Sequence, residues 1–459
     1  MLIYIQGMFR ENRRFPNEDM YNKYKIFTWG CQMNEDDSAQ IDALLRSRGM
    51  TPTDLDEEAD VAVLVTCSVR EKPENKAKSK LGELKIIKES RPHMIIGVCG
   101  CMAQREGKRL RRGRPYIDFV IGTAGIGELP VVLDRIEGER SFRTVLDLPT
   151  DAGGELPLPA RVPNPKPALK EFVPIMYGCN NFCAYCVVPY VRGRERSRRP
   201  EDIVNEIKYL AERGTEEVTL LGQNVNSYGA TADFDTDFAD LLAMVNDVEG
   251  IERVRFTTSH PKDLSDRVIK AMAELPKVCE HIHLAVQSGD DDTLKAMNRG
   301  YTADRLRERI GALRAAVPDV AVTTDFLIGF PGETEEGLER TLAFAEEIRF
   351  DGAFMFSYNI IPGTAAEKMT GHMTMPEKNR RLERLIEIQN RITCEINRSR
   401  VGDVFEVLVD GASKDGDMVS GFTRQNKIVN FPGSKDLIGR LVKVKITEGR
   451  LFGFMGEMI

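Results

Sequence analysis

Cys179, Cys183 and Cys186 share one short stretch, Gly178-Cys179-Asn180-Asn181-Phe182-Cys183-Ala184-Tyr185-Cys186. Thiolates are soft ligands that select iron–sulfur clusters or zinc. A C-x3-C-x2-C loop can wrap a single 4Fe–4S cube corner by corner. Three irons then have protein ligands and the fourth stays open to a substrate or cofactor. A zinc site of this size ordinarily takes a fourth Cys or His nearby, and none follows before His260. The loop is polar, rich in Asn and preceded by the apolar run Phe172–Tyr177. That setting is unlike three core cysteines that happen to be close.

A second set is scattered. Cys31, Cys67 and Cys101 each follow an apolar or β-branched run: Lys25–Trp29, Val61–Thr66 and Met94–Val98. In doubly wound sheets ligands bind outside the carboxyl ends of the strands, so cysteines at three such ends would converge in space. The result would be another three-thiolate site with an open iron. Structural cysteines are also common near strand ends, and spacing alone supports both readings. Cys99, on the same strand phase as Cys101, reads as a small core residue. Cys279 and Cys394 lie outside any motif and read as buried thiols.

These side chains need a scaffold, and the composition supplies one. The 459 residues suggest about three domains, and 42% hydrophobic with 29% charged residues leaves ample material for cores. Nine cysteines grouped by motif argue for metal chemistry in a reducing compartment, not for disulfides. No apolar run reaches the roughly 18 residues of a membrane span. Residues 1–22 read as an extension, not as a signal peptide, so no membrane association and a cytoplasmic location are expected. A net charge of −7 gives no general attraction for nucleic acid, which leaves that task to local patches.

Residues 23–150 alternate strand runs with helical segments such as Asp36–Arg48 and Asn75–Glu89, and Phe119–Ile121 adds a fourth strand. That order predicts a doubly wound parallel sheet, an α/β domain. Residues 151–170, with five prolines, read as a linker. A second series over residues 171–400 has strands Phe172–Tyr177, Val218–Gly222, Val254–Thr258, His281–Val286, Val322–Ile328 and Ala353–Tyr358, closed by helix Pro376–Arg400. Six such units suit an incomplete (βα)6 barrel, where function gathers at the strand carboxyl ends. Residues 401–459 change to short strands with Gly and Asp turns and predict a small all-β barrel. Its 8 basic and 8 acidic residues make any RNA contact local, for example at Arg424, Gln425, Asn426 and Lys427.

With Tyr185 before the last cysteine, the Cys179–Cys186 loop resembles the signature of radical S-adenosylmethionine (SAM) enzymes. The resemblance extends over nearly the whole chain to the radical SAM methylthiotransferases. It is carried by Gly30-Cys31-Gln32-Met33-Asn34, Thr66-Cys67-Ser68-Val69-Arg70-Glu71, Gly100-Cys101-Met102-Ala103-Gln104, Gly178 to Gly193, Leu221 to Asn226, Thr258-Ser259-His260-Pro261 and Gln287-Ser288-Gly289. Gln32-Met33-Asn34 is most similar to the tRNA 2-methylthio-dimethylallyladenosine branch. Sister branches, which act on threonylcarbamoyl-adenosine or a ribosomal protein aspartate, usually carry Lys-Val-Asn or Pro-Lys-Asn there. The resemblance implies a radical SAM barrel between an N-terminal cluster domain and a C-terminal RNA-binding barrel called TRAM. It implies one 4Fe–4S cluster on Cys179, Cys183 and Cys186, an auxiliary one on Cys31, Cys67 and Cys101, and two uses of SAM, as methyl donor and as radical source. Sulfur and methyl would enter carbon 2 of an adenine beside the anticodon. Implied partners are tRNA, a reduced donor such as flavodoxin or ferredoxin, and a sulfur source, with the protein a monomer. A non-catalytic iron–sulfur RNA-binding protein is the alternative of another class, against which the open iron speaks.

In such a fold Tyr185, Gly222, Gln223, Gln287, Ser288 and Gly329 would lie beside SAM; ordinary βα turn chemistry is the other reading. His260 belongs to a strand-end motif and lines the site, whereas His281 and His283 pack; Asp325 is a candidate partner for a buried polar group. Arg192, Arg194, Arg196, Arg198 and Arg199 crowd behind the cluster loop. Of these, Arg194, Arg196 and Arg198 are candidate phosphate contacts, as are Arg424 and Lys427. Lys108 to Arg114 form a similar patch.

Overall fold

Val61–Thr66 is buried at every position, the unbroken apolar pattern of a strand covered on both faces. In the computed structural model, which describes residues 21–68, 71–139, 141–146, 148, 164, 167–412 and 418–459, this segment is the central strand of the first unit. The expected extension before residue 21 and most of the linker, with Val69 and Arg70 of the second motif, lie outside the described residues.

The first unit is a six-stranded parallel sheet ordered β2-β1-β3-β4-β5-β6. Its strands are β1 (Lys23–Trp29), β2 (Thr51–Pro52), β3 (Val61–Thr66), β4 (Ile95–Cys99), β5 (Phe119–Ile121) and β6 (Arg143–Val145). Ile41 and Leu45 of helix Gln32–Ser47 and Leu129 and Leu133 of helix Leu129–Glu139 share a core with Val61, Val63 and Val65. Leu81 and Leu84 of helix Glu71–Ser90 and Met102 of helix Cys101–Glu106 cover Ala62, Leu64, Ile96 and Val98 on the other face. The sheet is therefore doubly wound, and the strand order reverses between β1 and β3. Two edge strands, β2 and β6, carry no apolar run and were not foreseen. The first helix starts immediately after Cys31, four residues before the charged segment that suggested it.

In the second unit β7 (Lys170–Pro174) is followed by an antiparallel pair, β8 (Met176–Tyr177) and β9 (Arg196–Ser197). Then come β10 (Glu217–Leu221), β11 (Arg253–Phe256), β12 (His281–His283), β13 (Ala321–Ile328) and β14 (Gly352–Ser357). Sheets β11-β10-β7 and β12-β13-β14 are joined by the parallel bridge Ser259–Leu284. Val173, Val218, Leu220, Val254, Ile282, Val322 and Phe326 form one core, to which helix Met375–Ser399 adds Leu385. This is the open (βα)6 barrel that the six runs imply.

The chain ends in a closed barrel, β15-β16-β17-β19-β18, formed by β15 (Val404–Ala412), β16 (Met418–Thr423), β17 (Ile428–Pro432), β18 (Leu441–Arg450) and β19 (Gly453–Met458). Val407, Val409, Val419, Val429, Phe431, Val444, Ile446 and Phe454 fill it. It docks on the starting ends of the (βα)6 strands. Arg253, fully buried, donates to the Phe422 carbonyl at 2.7 Å and to the carbonyl and carboxylate of Glu406, both at 3.0 Å. Arg255 donates to the carbonyls of Thr423 (2.7 Å) and Arg424 (2.9 Å) and pairs with Glu217 at 2.9 Å. Lys170 pairs with Asp410 at 2.6 Å.

Two expected RNA contacts are turned into this junction. Arg424 donates to both Glu280 oxygens (2.7 and 2.8 Å) and to the Val278 carbonyl (2.7 Å). Lys427 donates to the Asp351 carbonyl at 2.8 Å, and burial lowers its pKa. Their charges fasten two barrels together, which composition alone could not distinguish from a surface patch. No helix among the described residues is long and apolar enough to cross a membrane.

Candidate active site

The three-cysteine loop leaves the carboxyl side of β8 through Gly178, whose φ of +78° is one that residues with a Cβ rarely adopt. A Cβ there would lie 2.1 Å from the Arg194 carbonyl, so only glycine fits. Cys179 N–H donates to the Gly193 carbonyl at 3.2 Å, and Cys186 N–H to the Cys183 carbonyl at 2.9 Å. From outside, Ala184 N–H donates to the Met297 carbonyl at 2.9 Å, and Asn298 Nδ2 to the Phe182 carbonyl at 3.0 Å.

This folding brings Cys179, Cys183 and Cys186 within one another's electrostatic reach. Burial pushes the Cys179 thiol up to about 11 and the Cys186 thiol up to about 12, and Cys183 adds to both. Thiols held this close, with Cys179 and Cys186 pushed up in pKa, suit a shared cationic centre, which would stabilise the thiolates. Among the described residues no group of His, Cys, Asp and Glu is gathered as one metal ion would need. A cube gives each thiolate its own iron and so spaces the sulfurs more widely.

Around the loop stands a set of buried polar groups. Gln223 accepts from Gly178 N–H at 2.5 Å while its Nε2 is buried without a partner. Glu195 accepts from Ser227 Oγ at 2.8 Å; burial raises its pKa to about 7, and its Oε1 has no partner. Asn224 Nδ2 donates to Ser227 Oγ (2.9 Å) and Asp263 (2.7 Å), and Asn224 Oδ1 accepts from His260 N–H (3.1 Å). Burial, assisted by Arg299 and Lys262, pulls His260 down to about 2, so it is neutral; its Nε2 is unpartnered. Tyr358 OH and Ser259 Oγ are likewise buried and unsatisfied. Such orphans are costly unless a polar ligand or water completes them; Glu195 directly precedes β9, and the others follow β10, β11 and β14.

The other candidates divide. Gln287, at φ +71°, pairs through its backbone with β13, donating to Asp325 O at 2.8 Å. Thr258, which carried no signal beyond its motif, is also left-handed at φ +70°. Non-glycine strain of this kind concentrates at functional sites. Ser288 is committed inward, 3.0 Å from Thr341 Oγ1. Gly222 packs on Met176 and Gly329 on Lys378, where a Cβ would meet carbons at 2.6 and 2.5 Å. Asp325 lies 3.3 Å from His283 Nε2, which answers what it pairs with. Tyr185 OH accepts from Arg299 at 3.1 Å; Arg299 was not singled out by sequence reasoning.

The arginine run is only partly presented. Arg194 is exposed, with its guanidinium 4.2 Å from the centre of the Phe182 ring. Arg198 is buried and donates to the Pro174 carbonyl and to Glu206, both at 2.6 Å, so it is a structural tie, not an open phosphate contact. Arg196 is half-buried in β9, and burial lowers its pKa. Lys108, Arg109, Arg111 and Arg112 are exposed on the first unit.

In the first unit Cys31 caps helix Gln32–Ser47 and Cys101 opens helix Cys101–Glu106. Helix N-termini favour thiolate. Fully buried Asn34 links the strand ends: its Oδ1 accepts from Cys31 N–H at 3.4 Å. A Cβ on Gly30 would come within 2.3 Å of that oxygen and 3.0 Å of Cys67 Cβ, and one on Gly100 within 3.3 Å of Asn34 Nδ2. Close backbone approach at two glycines thus draws the segments bearing Cys31 and Cys101 onto one asparagine, with Cys67 against Gly30.

A (βα)6 barrel with a three-cysteine loop beyond its strand ends defines a radical SAM enzyme, and residues 173–345 match the Radical SAM superfamily. Residues 398–458 match the TRAM domain and residues 23–122 the Uncharacterized protein family UPF0004. The tRNA-2-methylthio-N(6)-dimethylallyladenosine synthase of Carboxydothermus hydrogenoformans is 48% identical over 440 residues, covering 95% of this chain and 99% of that protein. The enzyme of the same name from Alkaliphilus oremlandii is 48% identical over 453 residues, 98% of this chain and 95% of that one. The chain belongs to this family of radical SAM enzymes. In fold it is similar to the radical SAM methyltransferase TsrM from Kitasatospora setae, solved with cobalamin and a 4Fe–4S cluster bound (TM-score 0.56, 13% identity, 84% of this chain and 77% of that one).

Proposed function

We propose that this protein places a methylthio group on carbon 2 of dimethylallyl-adenosine beside the anticodon of tRNA, using SAM and two 4Fe–4S clusters. One cluster would be held by Cys179, Cys183 and Cys186, the other by Cys31, Cys67 and Cys101. The observation that carries the second site is the gathering of the Gly30-Cys31 and Gly100-Cys101 segments around Asn34, with Cys67 against Gly30. An adenine C–H bond is beyond any side-chain acid or base, and SAM on a reduced cluster supplies the radical that can take its hydrogen.

The chain's own residues bind and orient. Gln223 Nε2, Glu195 Oε1 and His260 Nε2 are the unsatisfied groups best suited to polar atoms of SAM, with Gln287 and Tyr185 beside them. Neutral His260 would accept or donate one hydrogen bond without adding charge. Gly222 and Gly329 serve packing, and Ser288 fixes the loop after β12. Arg194 stacked on Phe182, which meets Tyr190 edge to face at 6.2 Å, forms a cationic aromatic platform behind the cluster loop. That platform suits an unpaired base and its phosphate. The proposed organisation is a cluster domain over 23–150, a radical SAM barrel over 171–400 and a TRAM barrel over 401–459, acting as a monomer with a flavodoxin or ferredoxin donor and a separate sulfur source.

Mass spectrometry of tRNA nucleosides from cells with and without the protein tests the reading. Loss of the 2-methylthio group with accumulation of dimethylallyl-adenosine is expected. Unaltered dimethylallyl products with a missing methylthio group on threonylcarbamoyl-adenosine would move the assignment to the sister branch.

A further inference from the structure

Arg299 is buried to 4% exposure between Asn298, at φ +57°, and Gly300, at φ +71°. Two left-handed residues around it turn the chain sharply after helix Asp291–Ala296 and hand the guanidinium to the cluster loop. Nη1 donates to Cys183 Sγ at 3.2 Å and to Tyr185 OH at 3.1 Å. Nε donates to Tyr301 OH at 2.8 Å, and Nη2 donates to the Ala285 carbonyl. The Tyr301 hydroxyl is itself held, donating to the Val286 carbonyl at 2.8 Å. Met297 and Asn298 clamp the same loop through its backbone.

What this cation lacks is an anion. Its partners among the described residues are two phenols, a thiol and a carbonyl, with no carboxylate among them. Five other buried arginines each meet a carboxylate: Arg198 meets Glu206, Arg253 Glu406, Arg255 Glu217, Arg309 Asp266 and Arg381 Glu333. A buried, uncompensated charge is expensive, and this guanidinium is fixed by a fork of hydrogen bonds. An oxidised cube with three thiolates carries net negative charge, and its reduced form carries one charge more.

We propose that Arg299 is the positioning residue of the radical-generating cluster: its guanidinium is the built-in counter-charge of the cluster and the hydrogen-bond donor to the Cys183 thiolate. It favours the reduced form, so it raises the midpoint potential, and it holds the Tyr185 hydroxyl through the same Nη1. Charge and hydrogen bonds at the sulfurs are established determinants of cluster potential. The inference rests on the reading that Cys183 is a cluster ligand.

The test uses full-length protein with Cys31, Cys67 and Cys101 replaced by Ala, so that one cluster is observed, reconstituted without SAM. With 15N-arginine incorporated, pulsed EPR of the reduced cluster should detect a weakly coupled 15N nucleus that Arg299→Lys removes. In a redox titration followed by EPR, Arg299→Met should lower the midpoint enough to reduce the reduced-to-oxidised ratio at the unsubstituted midpoint about tenfold, ~59 mV for one electron. Arg299→Lys should restore part of it by returning charge without the fork. A loaded cluster with no 15N coupling, or an unchanged midpoint in Arg299→Met, overturns the assignment. If Arg299→Met fails to load, the coupling measurement on unsubstituted arginine decides. A protein that binds no iron at all refutes the underlying cluster reading instead.

Discussion

Arg253→Met should release the C-terminal barrel without unfolding the (βα)6 barrel. Arg253 is fully buried and makes three donations at 2.7 to 3.0 Å, two of them to carbonyl oxygens, Phe422 and Glu406, that lose a donor in the variant. A stranded carbonyl costs about 1–3 kcal/mol, and breaking a buried charge pair costs about 3–5 kcal/mol. Glu217 retains Arg255 at 2.9 Å and the exposed Glu406 carboxylate passes to water, so no buried carboxylate is abandoned and the lower part of that range applies to the junction. Methionine keeps volume, which limits the cavity contribution. A loss of roughly 3–4 kcal/mol raises the population of the undocked form by about 10²–10³-fold. Hydrogen exchange read by mass spectrometry should show faster exchange at Arg424–Asn426 and at the Arg440–Lys445 stretch, with Val218–Leu221 and Val322–Ile328 unchanged. If exchange at the junction is unaltered, or if the whole second unit accelerates uniformly, the view of Arg253 as a local clasp is wrong.

Three further outcomes are expected. Replacing Cys179, Cys183 and Cys186 with Ala should leave about four irons per chain after anaerobic reconstitution, and an iron-free product would remove the independent second site. Arg194→Ala should flatten the log–log salt dependence of tRNA binding by roughly one and leave the thermal midpoint in place, whereas Arg198→Ala should lower the midpoint; the opposite pattern would reverse their roles. Glu195 has a folded pKa raised to about 7 by burial, so its contribution to stability is full below the unfolded carboxyl value and is lost as pH rises through the folded one. Glu195→Gln should therefore gain on the unsubstituted protein between about pH 4.5 and 7, by at most about 3 kcal/mol, as followed by thermal melts across pH; a constant difference would mean that Glu195 is not a buried acid.

Much of the scaffold was legible because apolar runs mark strands buried on both faces. Val61–Thr66 and Phe119–Ile121 were read to the residue. Thr51–Pro52 and Arg143–Val145 were not, since an edge strand needs backbone pairing but no apolar stretch. Direction is the harder quantity. Arg198, Arg424 and Lys427 look like Arg194 in composition, yet a partner carboxylate or carbonyl many residues away turns them inward. Arg299 was missed for a related reason: its meaning lies in a thiol 116 residues earlier. A signal was present in Asn298-Arg299-Gly300, where Asn and Gly flank a charge at the turn after a helix. Cys99 and Cys279 are core thiols as expected, while Cys394 is only half-buried.

The C-terminal barrel grips the first residues of β7 and β11 directly and the first residue of β10 through Arg255, whereas the cysteine loop and its unsatisfied polar groups follow the strand ends. At about 3.3 Å per residue, the eight residues of β13 alone separate these two rims by roughly 26 Å. Chemistry and attachment therefore stand on separate sets of residues. Loops at the far rim can drift towards another substrate while Glu217, Arg253, Arg255, Glu280 and Asp351 preserve the fit of whatever β-barrel is appended. Recombination between relatives at the end of helix Met375–Ser399 would have these contacts to match, together with Lys170–Asp410 and the Asn397 donation to the Arg450 carbonyl.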